Sequence, residues 1–174
     1  MLLLTFQCGK VRYGVGLSHV VRTFFNAETI PLPGAPSAVT GALRIGGNIV
    51  PVIDFCRLTG SEHSVPTVWQ RLILVTFPTN PAADPRLQTN PPSEPPQQES
   101  VCLLVDEVLG VSERALEQTS VLPDRIERAP YVEGLLQLDD DLCVILAPER
   151  IIDPRNAETL RAALVSLTNR ELAP

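Results

Sequence analysis

The sequence is poor in aromatic residues and in lysine. Phe, Trp and Tyr make up 5% of its 174 residues although 44% are hydrophobic, so a core has to be built mainly from Val, Leu and Ile. These aliphatic residues favour β-strands. Lys10 is the single lysine, the formal net charge is −6, and no run of basic residues is present. Binding to a nucleic acid or to an anionic membrane surface is therefore not expected.

Long apolar runs are also missing. No stretch approaches the roughly 20 residues that a membrane-spanning helix needs, and the opening MLLLTFQ is too short for the core of a signal peptide. We therefore expect a cytoplasmic protein with no direct membrane insertion. The length fits one domain, or two small lobes that share a core.

The common signatures of catalysis are absent as well. The sequence has no GxSxG, HExxH or P-loop motif, and Gly14-x-Gly16 lacks the third glycine of a dinucleotide fingerprint. His19 falls in an apolar strand pattern, which favours a core or edge histidine over a catalytic base. The acidic triplet 139–141 is interpreted as a solvated turn, because adjacent carboxylates in a two-strand turn point in different directions. We predict that the protein is not an enzyme.

The four cysteines are spaced too widely for a familiar metal site. They lie 41 to 48 residues apart without a CxxC pair, and only His19 and His63 offer imidazoles. We therefore expect no metal and no cofactor, and interpret the thiols as reduced residues in or beside apolar strands. The four are Cys8, Cys56, Cys102 and Cys143.

Residues 78–100 form a segment of different composition. They hold seven of the 17 prolines and hardly any large apolar side chain. Each proline removes a backbone donor and fixes φ, so neither a central strand nor a helix is expected. We interpret the segment as a solvated, proline-rich loop inserted between two similar halves.

The halves on either side of that loop repeat one pattern. The stretch RIGGNIVPVID, residues 44–54, predicts a hairpin that turns at Gly46-Gly47-Asn48, and LLQLDDDLCVIL, residues 135–146, repeats it at an offset of 93. A weaker similarity at an offset of 88 relates residues 15–20 to residues 103–108. Two copies are too few for a solenoid, so we infer a pseudo-symmetric pair of small sheets.

Period-two patterning predicts a strand-rich protein with one clear helix. Asp153 and Pro154 suit the start of that helix, and Leu160, Leu164 and Leu167 fall on one of its faces. Short turns are expected after residues 53 and 146. The predicted strands are 2–8, 11–17, 20–25, 39–45, 49–53, 69–77, 101–106, 108–111, 132–138 and 142–146.

Four motifs together resemble the CheW-like domain family. The most specific is G-x-L-x-I-x-G-x-x-x-P-V-I-D over residues 41–54, accompanied by YGV at 13–15, VDEV at 105–108 and AP-Y-V-x-G from 129. The resemblance covers nearly the whole chain except the proline-rich loop. It implies an all-β fold of two pseudo-symmetric SH3-like five-stranded β-barrels that share a core, with a C-terminal helix.

The expected organisation is a single CheW-like domain over residues 1–174. Its approximate lobes are residues 11–77 and 101–152, and the strand Leu2–Cys8 joins either of them. The proline-rich loop takes residues 78–100 and the helix residues 153–172.

The resemblance implies a scaffolding function without a cofactor. A member of this family couples the cytoplasmic tip of a methyl-accepting receptor to the regulatory domain of a CheA-like histidine kinase, and such an adaptor is recruited to membrane-associated receptor arrays. Flagellar chemotaxis, pilus motility and phototaxis all stay open as the pathway. A different hypothesis is a small-molecule sensing module that binds its ligand in the cleft between the lobes.

The resemblance also implies partner-binding residues. Carried over by position, the receptor-facing groove is lined by Leu17, Val20, Arg22, Gly41, Val108 and Val111. Pro51 and Asp54 are expected to be structural, with Asp54 capping the short turn after its strand.

Two positions depart from the family pattern. The family usually carries arginine directly before the turn glycine, where this chain has Gly46, and Arg44 lies two residues earlier as a candidate substitute on the same strand face. Arg22 stands where an acidic residue is common. Arg44 and Gly46 therefore join the candidate receptor- or kinase-binding residues.

Overall fold

The computed structural model describes residues 1–79, 98–113, 119–120, 129–138 and 141–171. Within them the chain is built mainly from strands. In chain order the strands are β1 Leu2–Cys8, β2 Val11–Gly16, β3 Val20–Phe25, β4 Val39–Ile45, β5 Asn48–Asp54, β6 Arg71–Pro78, β7 Gln98–Val105, β8 Glu107–Glu113, β9 Thr119–Ser120, β10 Val132–Leu138 and β11 Asp141–Leu146. The helices are α1 Phe55–Leu58 and α2 Pro154–Glu171, and short 3₁₀ turns span Leu17–His19, Thr67–Trp69 and Pro148–Arg150.

The strands form two sheets. One has the order β8-β1-β2-β11-β10-β9 and the other the order β3-β6-β7-β5-β4. The sixth strand of the first sheet is the two-residue β9, which pairs with β10. The predicted all-β fold with a C-terminal helix is confirmed.

Both sheets combine strands from the two halves of the sequence. After β2 the chain leaves the six-stranded sheet, builds all of the five-stranded sheet from β3 to β7, and returns with β8. Consequently β2 pairs in parallel with β11, and β5 pairs in parallel with β7. The sheets therefore do not coincide with the lobes 11–77 and 101–152, and β1 lies in the six-stranded sheet.

The internal repeat predicted from the sequence is present in the strand pairing itself. In the β4–β5 hairpin Ile45 pairs with Asn48 and Leu43 with Val50. In the β10–β11 hairpin every pair lies 93 residues further on, so that Leu138 pairs with Asp141. The bulge that precedes the glycine in β4 recurs at the same place in β10. The two hairpins thus share one register.

The weaker repeat at an offset of 88 is also structural. Gly14 of β2 pairs with Ile145, and the equivalent Cys102 of β7 pairs with Val52. Parallel pairing between these strands joins the hairpins to their sheets in the same way. Each five-strand unit is therefore a copy of the other, as the pseudo-symmetry predicted.

The largest hydrophobic cluster draws on both sheets, and we call it the shared core. Phe55 lies near its centre, with ring centroids 5.5 Å from Phe6 and 4.9 Å from Tyr13. Apart from Phe77, the remaining buried members are aliphatic or cysteine side chains, as the low aromatic content predicts. The shared core consists of Leu4, Phe6, Cys8, Tyr13, Val15, Ile53, Phe55, Cys56, Ile73, Val75, Phe77, Val101, Leu103, Val105, Leu146 and Ile151.

Two smaller clusters fill the other faces. The five-stranded sheet carries Val50, Val52, Leu72, Leu74, Cys102 and Leu104, which we call the second cluster. The six-stranded sheet carries Leu3, Leu136, Cys143 and Ile145. Because successive strand residues point to opposite faces, neighbours such as Leu3 and Leu4 enter different clusters.

Helix α2 packs on the protein through Leu160, one of the leucines predicted to share a face. The carboxylate of Asp153 accepts a hydrogen bond from the backbone N–H of Arg155 at 2.8 Å, which caps the first turn. Leu160 is buried, and Arg161 forms an ion pair with Glu99 of β7. No helix in the described part of the chain is both long and apolar enough to cross a bilayer.

Several boundaries differ from the expectations. Strand β6 begins at Arg71, because Trp69 lies in a 3₁₀ turn and is 62% exposed. Strands β6 and β7 extend into the predicted 78–100 loop and pair Pro78 with Gln98. The residues between them that are not described, 80–97, include most of the proline-rich segment. Residues 139 and 140 of the acidic triplet also lie outside the described residues, while Asp141 forms an ion pair with Arg12 at 2.9 Å.

Candidate functional site

Val20 and Val108 lie on the outer strands of the two sheets, at the edge of the shared core. Val20 of β3 pairs with Val75, and Val108 of β8 pairs with Phe6. Residues paired across antiparallel strands point to the same face of the sheet, and Val75 and Phe6 are fully buried in the shared core. Both valines are half-buried and pack against that core.

Leu17 and Val111 extend this edge. Leu17 lies in the turn between β2 and β3 and packs, half-buried, against the shared core. Val111 pairs with Leu4 of the shared core but is itself 54% exposed. We call the four residues Leu17, Val20, Val108 and Val111 the apolar rim.

We include Leu2 as a fifth residue of the apolar rim, although it is not among the binding residues predicted from the sequence. It alternates with Leu4 on β1, so it faces the same side of the sheet, and it is 48% exposed. The period-two series Leu2, Leu4, Phe6 is the signal that could have identified it.

Arg22 does not join the apolar rim. A bulge between Val20 and Arg22 shifts the pairing, so that Arg22 lies opposite Leu74 of the second cluster. Its guanidinium carbon lies 5.3 Å from the centroid of the Phe24 ring, which packs on the same cluster. Arg22 and Val20 therefore point to opposite faces of the five-stranded sheet.

Gly41, Arg44 and Gly46 belong to β4 and its turn, at the far edge of the five-stranded sheet from β3. Gly41 is buried, and a Cβ atom there would lie 2.5 Å from the carbonyl oxygen of Ile30. Arg44 is exposed and pairs with Ile49. The structure thus separates these three residues from the apolar rim.

Gly46 and Gly47 form the tight turn that the sequence predicted. Their φ values are +56° and +84°, the left-handed conformation that a two-residue hairpin turn requires and that glycine adopts at little cost. The strand ends at Ile45, so the alternation that would place Arg44 and residue 46 on one face stops before the turn.

A buried polar cluster, which no sequence pattern predicts, lies where β5 and β7 end. Asp106 is 1% exposed, and its Oδ2 atom accepts hydrogen bonds from the N–H groups of Gly9 and Ser64, each at 2.8 Å, and from the Ser64 hydroxyl at 2.7 Å. Burial alone would raise the pKa of Asp106, but these bonds and one to His63 outweigh it and hold the pKa below its usual value.

His63 connects this carboxylate to a second one. Its Nδ1 atom lies 2.5 Å from Asp106 Oδ1, and its Nε2 atom lies 3.1 Å from Asp54 Oδ1. The same Asp54 oxygen accepts a hydrogen bond from the N–H of Arg57 at 2.9 Å, which confirms the predicted capping role of Asp54. His19, by contrast, is half-buried with Nδ1 3.1 Å from the Thr76 carbonyl oxygen, as expected of an edge histidine.

All four cysteines are buried and free of disulfides. The thiols of Cys8 and Cys56 form a hydrogen bond, and this contact together with burial raises the pKa of Cys8. Burial raises the pKa of Cys102 to about 12 and that of Cys143 to about 11. These thiols are consequently poor nucleophiles in the folded protein.

Comparison with known proteins agrees with the arrangement of strands. The family model described as "CheW-like domain" matches residues 2–155. A protein named "Chemotaxis protein CheW" from Rhizobium meliloti (strain 1021) is 22% identical over 159 residues, which are 90% of each chain. The crystal structure of the scaffolding protein TtCheW from Thermoanaerobacter tengcongensis superposes with a TM-score of 0.71 at 20% identity, covering 90% of this chain and 95% of that one.

Proposed function

The chain belongs to the CheW-like domain family, and on that premise we propose that it is a non-enzymatic adaptor in chemotaxis signalling. In this proposal it couples a methyl-accepting receptor to a CheA-type histidine kinase. It acts in the cytoplasm, at membrane-associated receptor arrays, and uses no catalytic residue. The pathway is flagellar chemotaxis, pilus motility or phototaxis.

The apolar rim carries the proposal. Val111 and Leu2 are about half exposed, and Leu17, Val20 and Val108 are half-buried against the shared core, so both sheets present apolar side chains beside that core. We propose that together they form one surface. Contiguous apolar surface on a folded protein marks interaction sites. A receptor tip is a helical hairpin, and an amphipathic helix binds in an apolar groove of this kind. We assign the apolar rim to the receptor.

An adaptor also needs a second contact surface. We propose that Arg44, Gly46 and Arg22, which lie away from the apolar rim, contribute further partner contacts through the outer strands of the five-stranded sheet. Gly41 acts indirectly, since its missing side chain lets the backbone of Ile30 lie against β4. Weak contacts at two surfaces gain strength when the array holds both partners close.

Two cavities described for this chain are smaller than a typical ligand pocket. Cavities of about 180 and 150 Å³ lie beneath α2, lined by residues such as Leu160, Ile152 and Pro51. Ligand pockets typically span about 300 to 1,000 Å³. A metabolite screen by thermal shift tests the alternative, because a ligand of the native state raises the melting temperature.

Binding measurements with two partners test the proposal. The receptor's cytoplasmic fragment and the kinase regulatory domain are immobilised separately, and the chain and its variants are passed over each. We expect the chain to bind both, and V111E to bind the receptor fragment at least tenfold more weakly, because a charge on the apolar rim loses apolar contact and is desolvated. V165E is the matched control, since Val165 is 59% exposed on α2.

The same assay assigns the second surface. R44E, G46R and R22E are expected to change the affinity for at least one of the two partners while leaving the fold intact. A chain that folds but binds neither the receptor fragment nor any CheA-type regulatory domain would refute the adaptor function. Equal effects of V111E and V165E would place the receptor contact elsewhere.

A further inference from the structure

The proposed adaptor function does not use the polar cluster around His63. With a neutral imidazole, one of the two contacts between His63 and a carboxylate would still need a positive charge. A neutral imidazole has one N–H and one lone pair. Both ring nitrogens of His63 face carboxylate oxygens, Asp106 Oδ1 at 2.5 Å and Asp54 Oδ1 at 3.1 Å. One of these contacts therefore joins an N–H to a carboxylate, while the other brings a lone pair against an acceptor unless a cation lies there.

The surroundings of Asp106 decide which nitrogen carries the proton. Its Oδ2 atom already accepts three hydrogen bonds, from Gly9 and Ser64, which favours the ionised carboxylate. The ionised Asp106 accepts a hydrogen bond from the Nδ1–H of His63 and thereby fixes the ring. The Nε2 lone pair is then directed towards Asp54. A carboxylate that holds one ring nitrogen so that the other is free to bind is the usual outer shell of a metal-ligating histidine.

A thiol completes the group. Oxygen, sulfur and nitrogen ligand atoms of Asp54, Cys56 and His63 all lie within 4.8 Å of one another. Ligand atoms of a tetrahedral zinc ion are roughly 3.3 to 3.8 Å apart, so closing around the ion takes movements of about 1 Å. The thiol of Cys8, hydrogen-bonded to Cys56, stands next to the group as a fourth side chain. A thiol would add nothing to an imidazolium that lies between two carboxylates, whereas a thiolate is a preferred ligand of zinc.

We propose that Asp54, Cys56 and His63 bind a divalent transition-metal ion of the zinc class, with Asp106 orienting His63. The ligands lie on β5, α1 and the loop after α1, and Asp106 follows β7. The ion would therefore fasten the loop at residues 61–66 to the ends of two parallel strands of the five-stranded sheet. His63 is 22% exposed and gives the ion a path from solvent, whereas Cys56 is fully buried.

Cobalt binding to the whole chain tests the site, because Co²⁺ replaces Zn²⁺ and absorbs light. We expect one equivalent of Co²⁺ to produce visible bands of a tetrahedral ion and a thiolate-to-cobalt charge-transfer band, and Zn²⁺ to displace both. C56S should abolish the charge-transfer band, and H63Q should weaken binding at least tenfold. Zn²⁺ should raise the melting temperature of the wild type over that in chelator, and not that of H63Q.

Matched controls remove the same chemical groups elsewhere. C102S loses a buried thiol of the second cluster, and H19Q loses the other imidazole; both should bind Co²⁺ like the wild type. If C56S does not fold, the H63Q variant still tests the site, because His63 is partly exposed and H63Q is expected to fold. A wild type that shows no charge-transfer band, or an H63Q variant with unchanged affinity, would overturn the proposal and leave His63 as an imidazolium held between Asp54 and Asp106.

Discussion

Val20 and Val108 occupy equivalent positions 88 residues apart, each on the strand with which the chain crosses from one sheet to the other. Val20 pairs with Val75 and Val108 pairs with Phe6, and both partners are buried in the shared core. A bulge follows each valine, placing Val21 and Leu109 at equivalent exposed positions. The pseudo-symmetry of the fold thus places residues of both halves against one shared core.

This equivalence predicts equal contributions to stability. V20A and V108A should each lower the free energy of unfolding by about 1 kcal/mol, because each removes roughly two methylene-sized groups that are half-buried. The double variant should lose the sum to within about 0.5 kcal/mol unless the two side chains are coupled. Urea unfolding measures the stability of all three variants. V21A is the control, because Val21 is exposed, and its stability is expected within about 0.5 kcal/mol of that of the wild type. A cost confined to one valine would show that the two sites are not equivalent.

Two glycines should differ in their tolerance of a side chain. G41A is expected to cost about 2 to 3 kcal/mol, because its Cβ would lie 2.5 Å from the backbone oxygen of Ile30 and 2.6 Å from Thr29 Oγ1. G46A meets no atom within 4 Å and should cost about 1 kcal/mol, from its φ of +56° alone. Thermal or urea unfolding compares the two. A larger loss for G46A would contradict the close approach at Gly41.

Closing the proline-rich segment should leave the fold intact. Pro78 and Gln98 are paired at the end of the β6–β7 ladder, so Asn-Gly in place of residues 79–97 would make a two-residue hairpin turn there. We expect cooperative unfolding with stability equal to or above that of the full chain, because a shorter loop costs less entropy to close. Gly-Pro in place of the inserted Asn-Gly is the control and should be destabilising, because proline fixes φ near −65°. Loss of cooperative unfolding with Asn-Gly would show that the segment packs on the protein.

The buried thiols predict a loss of stability in alkali. Burial raises the pKa of Cys143 to about 11 from an ordinary value of 9.0, so above pH 9 the unfolded chain loses this proton first. The contribution of the protonated Cys143 thiol to the free energy of unfolding is complete below pH 9 and disappears as the pH rises to about 11. The free energy of unfolding, measured by urea at pH 8 to 10.5, should fall less steeply in C143A than in the wild type.

Val52→Ala is the control for that experiment. Val52 is 1% exposed and carries no ionisable group, so V52A should lower stability at every pH and keep the wild-type slope. A C143A slope that matches the wild type would mean that Cys143 is not responsible for the alkaline loss.

The strands, the repeat and the family resemblance can all be predicted from the sequence alone. Alternation of apolar residues fixes which side of a strand is buried, and a constant offset of 93 between hairpins requires a common register. Glycine at positions 46 and 47 predicts a tight turn, because such a turn needs positive φ and other residues resist it. These properties are local, so they can be read from neighbouring residues.

Which side chains meet depends on the folded chain and could not be predicted from the sequence. The bulge after Val20 turns Arg22 to the opposite face, a one-residue change of register that no pattern in β3 reveals. The exchange of β2 and β7 between the sheets brings Val20 to the same core as Val108. It also places the ends of β5 and β7 side by side, so that Asp54 and Asp106 meet at His63. The wide spacing of cysteines argued against a metal site, yet folding assembles one candidate from residues of β5, α1 and a loop, because contacts across parallel strands do not depend on separation in sequence.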